Sequence, residues 1–259
     1  MTLPKDQIAQ TLIEAARTRT AVYPLTNDYP DLDVDTAYEV QDAVVDARVQ
    51  AGARVIGAKL GLTSVAKQKQ MNVSEPLYGR LTDDMQLDTG QTLNISDYIQ
   101  PRCEPEIGFL LGEDLEGPQV LAAHVLAATE LVFPAIDVLD SRFAGYKFTG
   151  ADVIADNSSC AGFVFGGQGS DPTGIDLRLV GCTFEKNGQL VATAAGAAVL
   201  GHPAAAVAWA IRRMAERGQG LQAGQIIMAG ALTEAVVVAP GDTVVARFDR
   251  LGSVELACR

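Results

Sequence analysis

Residues 101–111 read PRCEPEIGFLL, and this stretch indicates the type of fold more clearly than any other. Glu104 and Glu106 are followed at once by an apolar run of the kind that forms a buried strand. The two glutamates are two positions apart, so on a strand both side chains point to the same face. The stretch therefore predicts a buried strand that begins with two carboxylates facing the same way.

Short apolar runs of the same kind follow along the chain after Gly57, separated by Gly, Pro, Asn and Asp, and they predict further strands. The clearest are LVFPAIDVL, CAGFVFGG, LVGCTFEKNG, QIIMAG and DTVVARFD. Asn187 and Gly188 stand between two β-prone runs, as in a hairpin with a type I′ turn. Most of the chain beyond Gly57 is thus expected to be β structure.

Apolar residues at helical spacing predict two N-terminal helices and two helices inserted among the strands. The expected helices cover residues 5–19, 35–51, about 119–130 and about 203–217. Asp35 is the expected cap of the second helix, and His202, which precedes Pro203, is expected to be a capping or loop residue. Helices followed mostly by strands favour an α+β fold with a barrel-like β core.

The apolar texture continues to the end of the chain, so we expect one domain over residues 1–259. Within it, residues 1–56 are expected to be mainly helical and residues 57–259 to form a β-rich core. The N-terminus does not resemble a secretory signal, and no apolar run approaches the length of a membrane span. The expected location is the cytoplasm.

Charge and residue counts exclude several classes of function. The formal charge of −12 argues against binding nucleic acid or an anionic membrane, and an anionic substrate would need a local cation. Two histidines are too few for a histidine-rich metal site. The four cysteines are widely separated and are expected to be buried free thiols.

Three acidic side chains are candidate metal ligands. Two ionised glutamates on one face of a buried strand are costly unless a cation lies between them, and a hard divalent ion prefers oxygen ligands. Asp137 interrupts the apolar run LVFPAIDVL, where a buried strand would otherwise carry an aliphatic residue. The alternatives are a polar strand edge with two solvated glutamates and a turn or capping aspartate.

Lys59 in VIGAKLGLTS is a lone cation between Gly57 and Gly61. Glycines on both sides let the backbone come close to a ligand, so Lys59 is a candidate for neutralising a substrate carboxylate or stabilising an enolate. A lysine whose stem lies along the core with its head in water is the alternative.

Motifs along nearly the whole chain resemble the 2-hydroxypentadienoate hydratase and 4-oxalocrotonate decarboxylase group of the fumarylacetoacetase superfamily. They are PLTNDYPDLDVDTAYEVQ, GAKLGLTS, EPLYGRLTDDM, PRCEPEIGFLL, VFPAIDVLDSRF, VIADNSSCAGFVFGG, AAGAAVLGHPAAAVAWA, IIMAGALTEAVVVAPGD and LGSV. The resemblance implies a fumarylacetoacetase-like β-roll or barrel core with N-terminal and inserted helices. It also implies a 2-oxo carboxylate substrate that is chelated to a Mg²⁺ or Mn²⁺ ion, with no organic cofactor.

The resemblance assigns the metal ligands to Glu104, Glu106 and Asp137, where the group usually has a glutamate at the third position. It assigns the family lysine to Lys59. Hydratases of the group have an aspartate, implicated in proton transfer, where this chain has Leu77. A leucine cannot move protons, so the resemblance favours the decarboxylase branch.

The implied reaction is metal-dependent decarboxylation of 4-oxalocrotonate (2-oxo-3-hexenedioate) to 2-hydroxypenta-2,4-dienoate, a step of aromatic meta-cleavage catabolism. A hydratase of 2-hydroxypenta-2,4-dienoate or a related 2-oxo-enoate is the first alternative. A non-catalytic or repurposed partner of such a hydratase is the second. The resemblance further implies homo-oligomers, and the chain is expected to form them alone or in a complex with a pathway hydratase.

Five further residues are candidates for substrate binding. Thr233 follows small residues that leave backbone N–H groups free, Ser158 offers a hydroxyl, and Tyr78 adjoins Leu77. Arg142 and Lys147 are possible cations near the metal segment, although a structural salt bridge explains either of them as well.

Overall fold

The structure is a computed structural model that describes residues 3–70 and 73–259. The α-helices are α1 (Lys5–Thr18), α2 (Leu25–Asp28), α3 (Val34–Gln50), α4 (Val65–Gln70), α5 (Ala122–Ala128), α6 (Gly150–Ala155) and α7 (Pro203–Ala215). The strands up to β7 are β1 (Val55–Gly61), β2 (Leu77–Thr82), β3 (Gln86–Leu87), β4 (Thr92–Leu93), β5 (Arg102–Leu111), β6 (Thr129–Leu139) and β7 (Cys160–Phe165). The remaining strands are β8 (Gly181–Lys186), β9 (Gln189–Ala195), β10 (Ile226–Met228), β11 (Val236–Val237), β12 (Thr243–Phe248) and β13 (Gly252–Cys258).

The strands form two sheets. The larger has the order β2-β1-β10-β5-β6-β7-β3, and β11 also pairs with β5. The smaller has the order β4-β13-β12-β8-β9. Most neighbours are antiparallel, while β1 with β10, β3 with β7 and β4 with β13 are parallel. Mixed sheets with helices before and between their strands confirm the predicted α+β class, with a sheet that curls into part of a barrel.

The long pair β5 and β6 is the centre of the larger sheet. Its strands are antiparallel, and Glu104 lies directly opposite Asp137. Residues opposite each other in such a pair have side chains on the same face. Glu104, Glu106 and Asp137 therefore share one face, as the spacing of the glutamates predicts.

The two faces of this sheet have different neighbours. Ile107, Phe109, Ile136 and Val138 belong to the main hydrophobic cluster, to which the helices also contribute. The carboxylate face instead contributes to a small separate cluster of six buried residues, Leu81, Met85, Ala135, Cys160, Phe163 and Met228. The carboxylates thus lie on the face that faces away from the main core.

Helix termini agree with the predictions to within a few residues, apart from one shorter helix and one cap. The helix expected over residues 119–130 covers only Ala122–Ala128. The cap of α3 is Asp33 and not Asp35, because the Asp33 carboxylate accepts a hydrogen bond from the Thr36 N–H at 2.8 Å. His202 caps α7 by accepting a hydrogen bond from the Ala204 N–H.

Other local predictions can be compared directly with the structure. Asn187 and Gly188 both have positive φ, 53° and 73°, as a type I′ turn requires, and they join β8 to β9. All four cysteines are free and buried. Among the helices of the described residues, none combines the length and the apolar character that crossing a membrane requires.

Gly57 shows how tightly β1 and β10 pack. A Cβ added at Gly57 would lie 1.9 Å from the backbone oxygen of Ile226, which cannot move without disturbing the strand pair. We expect Gly57→Ala to lower the free energy of unfolding by about 1–3 kcal/mol, the usual range for overpacking. Urea denaturation of the variant and of the wild type measures this difference.

Gly181→Ala is the matched control, because Gly181 also lies in a strand and has open space around its Cβ position. Its unfolding free energy should stay within about 0.5 kcal/mol of the wild type. Equal stability losses in the two variants would contradict the explanation by close packing.

Candidate metal centre

Three buried carboxylates meet on the face of the larger sheet that faces away from the main core. One oxygen from each of Glu104, Glu106 and Asp137 lies within 4.8 Å of the others. Their exposed fractions are 5%, 0% and 0%. This separation and this set of hard oxygen donors suit a divalent cation such as Mg²⁺. The structure therefore brings the three sequence-predicted ligands together.

Two oxygens of this cluster have no hydrogen-bond partner among the described residues, namely Oε1 of Glu106 and Oδ1 of Asp137. Burial raises the pKa of Glu106 well above its ordinary value, and the neighbouring Asp137 and Glu104 add to the shift. Burial also raises the pKa of Asp137, although Lys59 acts in the opposite direction. Unpaired buried carboxylate oxygens are costly, and a bound cation is the group that would satisfy them.

Lys59 lies beside the triad on β1. Its ammonium donates a hydrogen bond of 2.6 Å to Oδ2 of Asp137, and the exposed fractions of the two side chains are 1% and 0%. Burial acts to lower the pKa of Lys59, but the carboxylate of Asp137 and the other acids outweigh it, so the pKa lies above its ordinary value. Lys59 is therefore a charged group fixed next to one metal-ligand candidate, and its head is not in water.

On the side of β5 away from β6, the neighbouring chain is interrupted opposite the glutamates. β10 pairs with residues 108–110 of β5, and β11 pairs with residues 102 and 103. Between them the chain turns at Gly230, whose N–H donates a hydrogen bond of 2.7 Å to Oε2 of Glu106. Gly230 has a φ of 107°, and a Cβ there would lie 2.2 Å from Oγ1 of Thr63. A glycine is required to hold Glu106 in this way.

A second lysine, Lys67 on α4, contacts the cluster and was not predicted from the sequence. Its ammonium lies 3.4 Å from Oε2 of Glu104 and 3.3 Å from the backbone oxygen of Thr233. The exposed fraction of its side chain is 28%, so Lys67 lies at the edge of the site. In the sequence AKQKQ nothing distinguishes Lys67 from a solvated lysine, so only the fold reveals this contact.

Leu77 and Ser158 lie on the same side of the sheet as Lys59. In the antiparallel pair of β1 and β2, Lys59 is opposite Gly79 and Gly61 is opposite Leu77. A Cβ added at Gly61 would lie 2.8 Å from both Cδ1 of Leu77 and Oγ of Ser158. Leu77 is buried, with an exposed fraction of 2%. The missing side chain of Gly61 thus leaves room for the Leu77 side chain and the Ser158 hydroxyl beside β1, the strand that carries Lys59.

Ser158 is held by an unusual turn. Asn157, Ser158 and Ser159 have consecutive positive φ values of 49°, 57° and 53°, a conformation that costs energy in residues other than glycine. The Asn157 side chain stabilises it: Oδ1 accepts from the Arg80 N–H at 2.7 Å and Nδ2 donates to the Arg80 oxygen at 2.9 Å. The turn is thereby fixed to β2, next to the strand that carries Lys59.

Arg142 supports the same turn instead of facing the carboxylates. Its guanidinium forms a buried ion pair with Asp156 and donates to the backbone oxygens of Asp156 and Asp140. Burial raises the pKa of Asp156 to about 6, although Arg142 acts to lower it. These contacts occupy the guanidinium, so its predicted role as a substrate-binding cation is replaced by a structural one.

The other predicted substrate-binding residues differ in position. Tyr78 lies on the opposite face of β2 from Leu77, because alternate strand residues point to opposite faces. There it stacks on Tyr38, with ring centroids 4.5 Å apart. This corrects the prediction that Tyr78 lines the site. Lys147 is exposed. Thr233 lies near the cluster through its backbone oxygen, which accepts from Lys67, and its hydroxyl donates to the Glu234 oxygen.

Comparison with known proteins shows what this chain is similar to. The family described as "Fumarylacetoacetate (FAA) hydrolase C-terminal" matches residues 54–257. The chain is 43% identical, over 98% of its length and 97% of the relative, to a 4-oxalocrotonate decarboxylase of Pseudomonas sp. (strain CF600). It is 41% identical, over 96% of its length and 93% of the relative, to a 2-keto-4-pentenoate hydratase of Paraburkholderia xenovorans (strain LB400).

A solved structure is similar along the whole chain. It is a 4-oxalocrotonate decarboxylase from Pseudomonas putida G7 in complex with magnesium and adipate, with a TM-score of 0.95 and 38% identity. The match covers 100% of this chain and 99% of that one. The same enzyme is also similar in a complex with calcium and acetate.

Glu106→Gln tests the metal centre in the absence of substrate. The folded-state pKa of Glu106 lies above the unfolded value of about 4.3, so metal-free folded protein binds the extra proton and its stability falls as the pH rises above about 4.3. At pH 7 with EDTA, we therefore expect Glu106→Gln to raise the melting temperature by a few degrees. Adding Mg²⁺ should raise the melting temperature of the wild type but not that of Glu106→Gln.

Glu255→Gln is the control, since Glu255 is exposed on β13. It should behave like the wild type with and without Mg²⁺ in differential scanning calorimetry. Equal stabilisation by Mg²⁺ in Glu106→Gln would show that these carboxylates do not form the metal site.

Proposed function

The chain belongs to the fumarylacetoacetate hydrolase family, and from this premise we propose that it is a Mg²⁺- or Mn²⁺-dependent decarboxylase of a 2-oxo-enedioate. The substrate that we propose is 4-oxalocrotonate, and the product is 2-hydroxypenta-2,4-dienoate. The observation that carries the proposal is the buried acidic triad with Lys59 beside it and Leu77, a group without a titratable proton, on the same side of the sheet. The relatives are enzymes, and they are named as decarboxylases and hydratases.

The reaction needs an electron sink. When the terminal carboxylate leaves as carbon dioxide, the electrons of the broken carbon–carbon bond pass through the conjugated chain to the oxygen at carbon 2. A divalent ion held by Glu104, Glu106 and Asp137 would supply Lewis-acid polarisation of the 2-oxo carboxylate. The donor set fits this role, because it consists of three buried oxygens, and two of the carboxylates each retain an oxygen that has no hydrogen-bond partner among the described residues.

Residues of the chain itself would perform the rest. Lys59 keeps its charge next to the triad and stabilises negative charge that develops on the substrate oxygen. Ser158, fixed by its turn, would donate a hydrogen bond to the substrate. Leu77 would exclude water from the reacting carbons and offer them no proton, so the dienolate would take its proton on oxygen from solvent as it leaves and be released as the dienol without hydration.

Hydration of 2-hydroxypenta-2,4-dienoate is the second candidate function, and similarity to the 2-keto-4-pentenoate hydratase favours it. Identities of 43% and 41% to the two kinds of enzyme do not separate the reactions. Leu77 is what favours decarboxylation, since a leucine cannot transfer the proton that addition of water requires. A non-catalytic partner of a hydratase is disfavoured by the intact set of buried ligand candidates.

We also propose that copies of the chain assemble, and that they associate with a pathway hydratase. An uncharged outer strand supports an assembly, because β9 forms one edge of the smaller sheet and its Leu190 and Val191 are exposed. The unpaired backbone groups of an edge strand are a template for pairing with another chain. No nucleic acid or membrane partner is part of the proposal.

The first test is an assay with 4-oxalocrotonate, generated from 2-hydroxymuconate, in Mg²⁺, Mn²⁺ or EDTA. We expect carbon dioxide and 2-hydroxypenta-2,4-dienoate to appear in equal amounts with either metal and to be absent in EDTA. Glu106→Gln should be inactive, and Glu255→Gln should match the wild type. Metal-dependent consumption of 2-hydroxypenta-2,4-dienoate without carbon dioxide release would make the protein a hydratase.

Leu77→Asp tests the choice between the two reactions. A carboxylate at this buried position repels the departing carboxylate and supplies a proton-transfer group, so kcat/KM for decarboxylation should fall by at least about tenfold and hydration should appear. Leu77→Asn has nearly the same shape without the charge, and it should lose decarboxylation to a smaller extent and gain no hydration. Unchanged decarboxylation in Leu77→Asp would show that the position does not control the reaction.

A further inference from the structure

Two lysines reach the acidic triad from opposite ends of one short segment. Lys59 is on β1 and Lys67 is on α4, which follows β1 directly. Their contacts differ: Lys59 is 2.6 Å from Asp137 and fully buried, whereas Lys67 is 3.4 Å from Glu104 and retains 28% of its side-chain exposure. Lys59 is therefore fixed inside the site, and Lys67 is loosely held where the site meets solvent.

Counting charges shows that Lys67 is surplus once a metal is bound. The triad carries three negative charges and Lys59 carries one positive charge, which leaves two negative charges. A divalent cation neutralises these two. Lys67 then has no charge left to balance at Glu104, because that carboxylate is shared with a far stronger cation. Its other contact, the Thr233 oxygen, is a neutral group.

An anionic substrate would supply the missing partner. The chain carries a net charge of −12, so an anion is repelled unless a local cation compensates. The 2-oxo carboxylate end of a substrate is expected at the metal, next to Lys59. A second carboxylate at the far end needs a different cation, and Lys67 is the lysine that the described residues provide at the edge of the site.

We propose that Lys67 binds the second carboxylate of the substrate and thereby makes the site selective for dicarboxylates over monocarboxylates. This inference rests on the proposed function, because it assumes that the 2-oxo acid end is held at the metal. In the loaded site Lys67 exchanges Glu104 for the substrate. Its flexible stem and partial exposure allow this movement without unfolding α4.

Two unreactive ligands of equal length test this role. 2-Oxoadipate and 2-oxohexanoate share the 2-oxo acid group and six carbons, and only 2-oxoadipate has a second carboxylate. Both lack the double bond through which electrons could leave. Isothermal titration calorimetry of the Mg²⁺-loaded protein should give a Kd for 2-oxoadipate at least about tenfold lower than that for 2-oxohexanoate, as expected for one hydrogen bond between charged groups.

Lys67→Met should remove this preference and leave the Kd for 2-oxohexanoate unchanged, while Lys67→Arg should retain most of it. Lys69→Met is the matched control, because Lys69 is exposed on the same helix and the change in charge is identical. It should retain the full preference. The Kd for Mg²⁺, measured separately by titration, should be unchanged or lower in Lys67→Met, since a competing cation at Glu104 has been removed.

The outcomes separate this inference from the proposed function. Metal-dependent binding of both ligands by the wild type, with a preference that survives in Lys67→Met, would overturn the role of Lys67 alone. Equal weakening of both ligands in Lys67→Met would also overturn it, because a structural role affects both. If the wild type binds neither ligand in Mg²⁺, then the 2-oxo acid site itself is refuted, and the inference is refuted with it.

Discussion

The buried negative charge of three carboxylates on one sheet face is the constraint on which the rest of this structure depends. Uncompensated, such charge would oppose folding, because each ionised group loses its hydration. The ion pair of Lys59 with Asp137 and the Gly230 N–H at Glu106 offset part of the cost. The raised pKa of Glu106 records the part that remains, and a divalent cation is the group that fits it.

Satisfying that constraint determines the backbone around it. The register of β5 with β6 places Glu104 opposite Asp137, and the strand next to β5 is interrupted so that Gly230 can turn its N–H inward. Only a glycine accommodates both the φ of that turn and its close approach to Thr63. The hydrogen bond to Glu106 thus depends on the interruption of the sheet at Gly230.

Much of this could be predicted from the sequence, because strands and helices leave periodic signals. The Glu-x-Glu spacing predicted a shared face, and the Asn-Gly pair predicted its hairpin. Other features depend on tertiary contacts that leave no such signal. The contact of Lys67 with Glu104 joins residues 37 positions apart, and the face on which Tyr78 lies depends on the register of β2. The residue pattern offered Lys59 and the three acids as candidates and the resemblance assigned their roles, whereas geometry alone revealed that the Arg142 guanidinium is occupied by Asp156.

The separation of the triad from its surroundings has a consequence for how such proteins diversify. The ligand candidates lie on the central strands β5 and β6, whereas Leu77 and Ser158 lie on β2 and on the turn before β7. Under the proposed function, substitutions in these outer segments would change the shape of the substrate site while β5 and β6, which carry the ligand candidates, stay intact. Few substitutions would then be needed to change the reaction that is catalysed. This agrees with the nearly equal identity of the chain to a relative named as a decarboxylase and to one named as a hydratase.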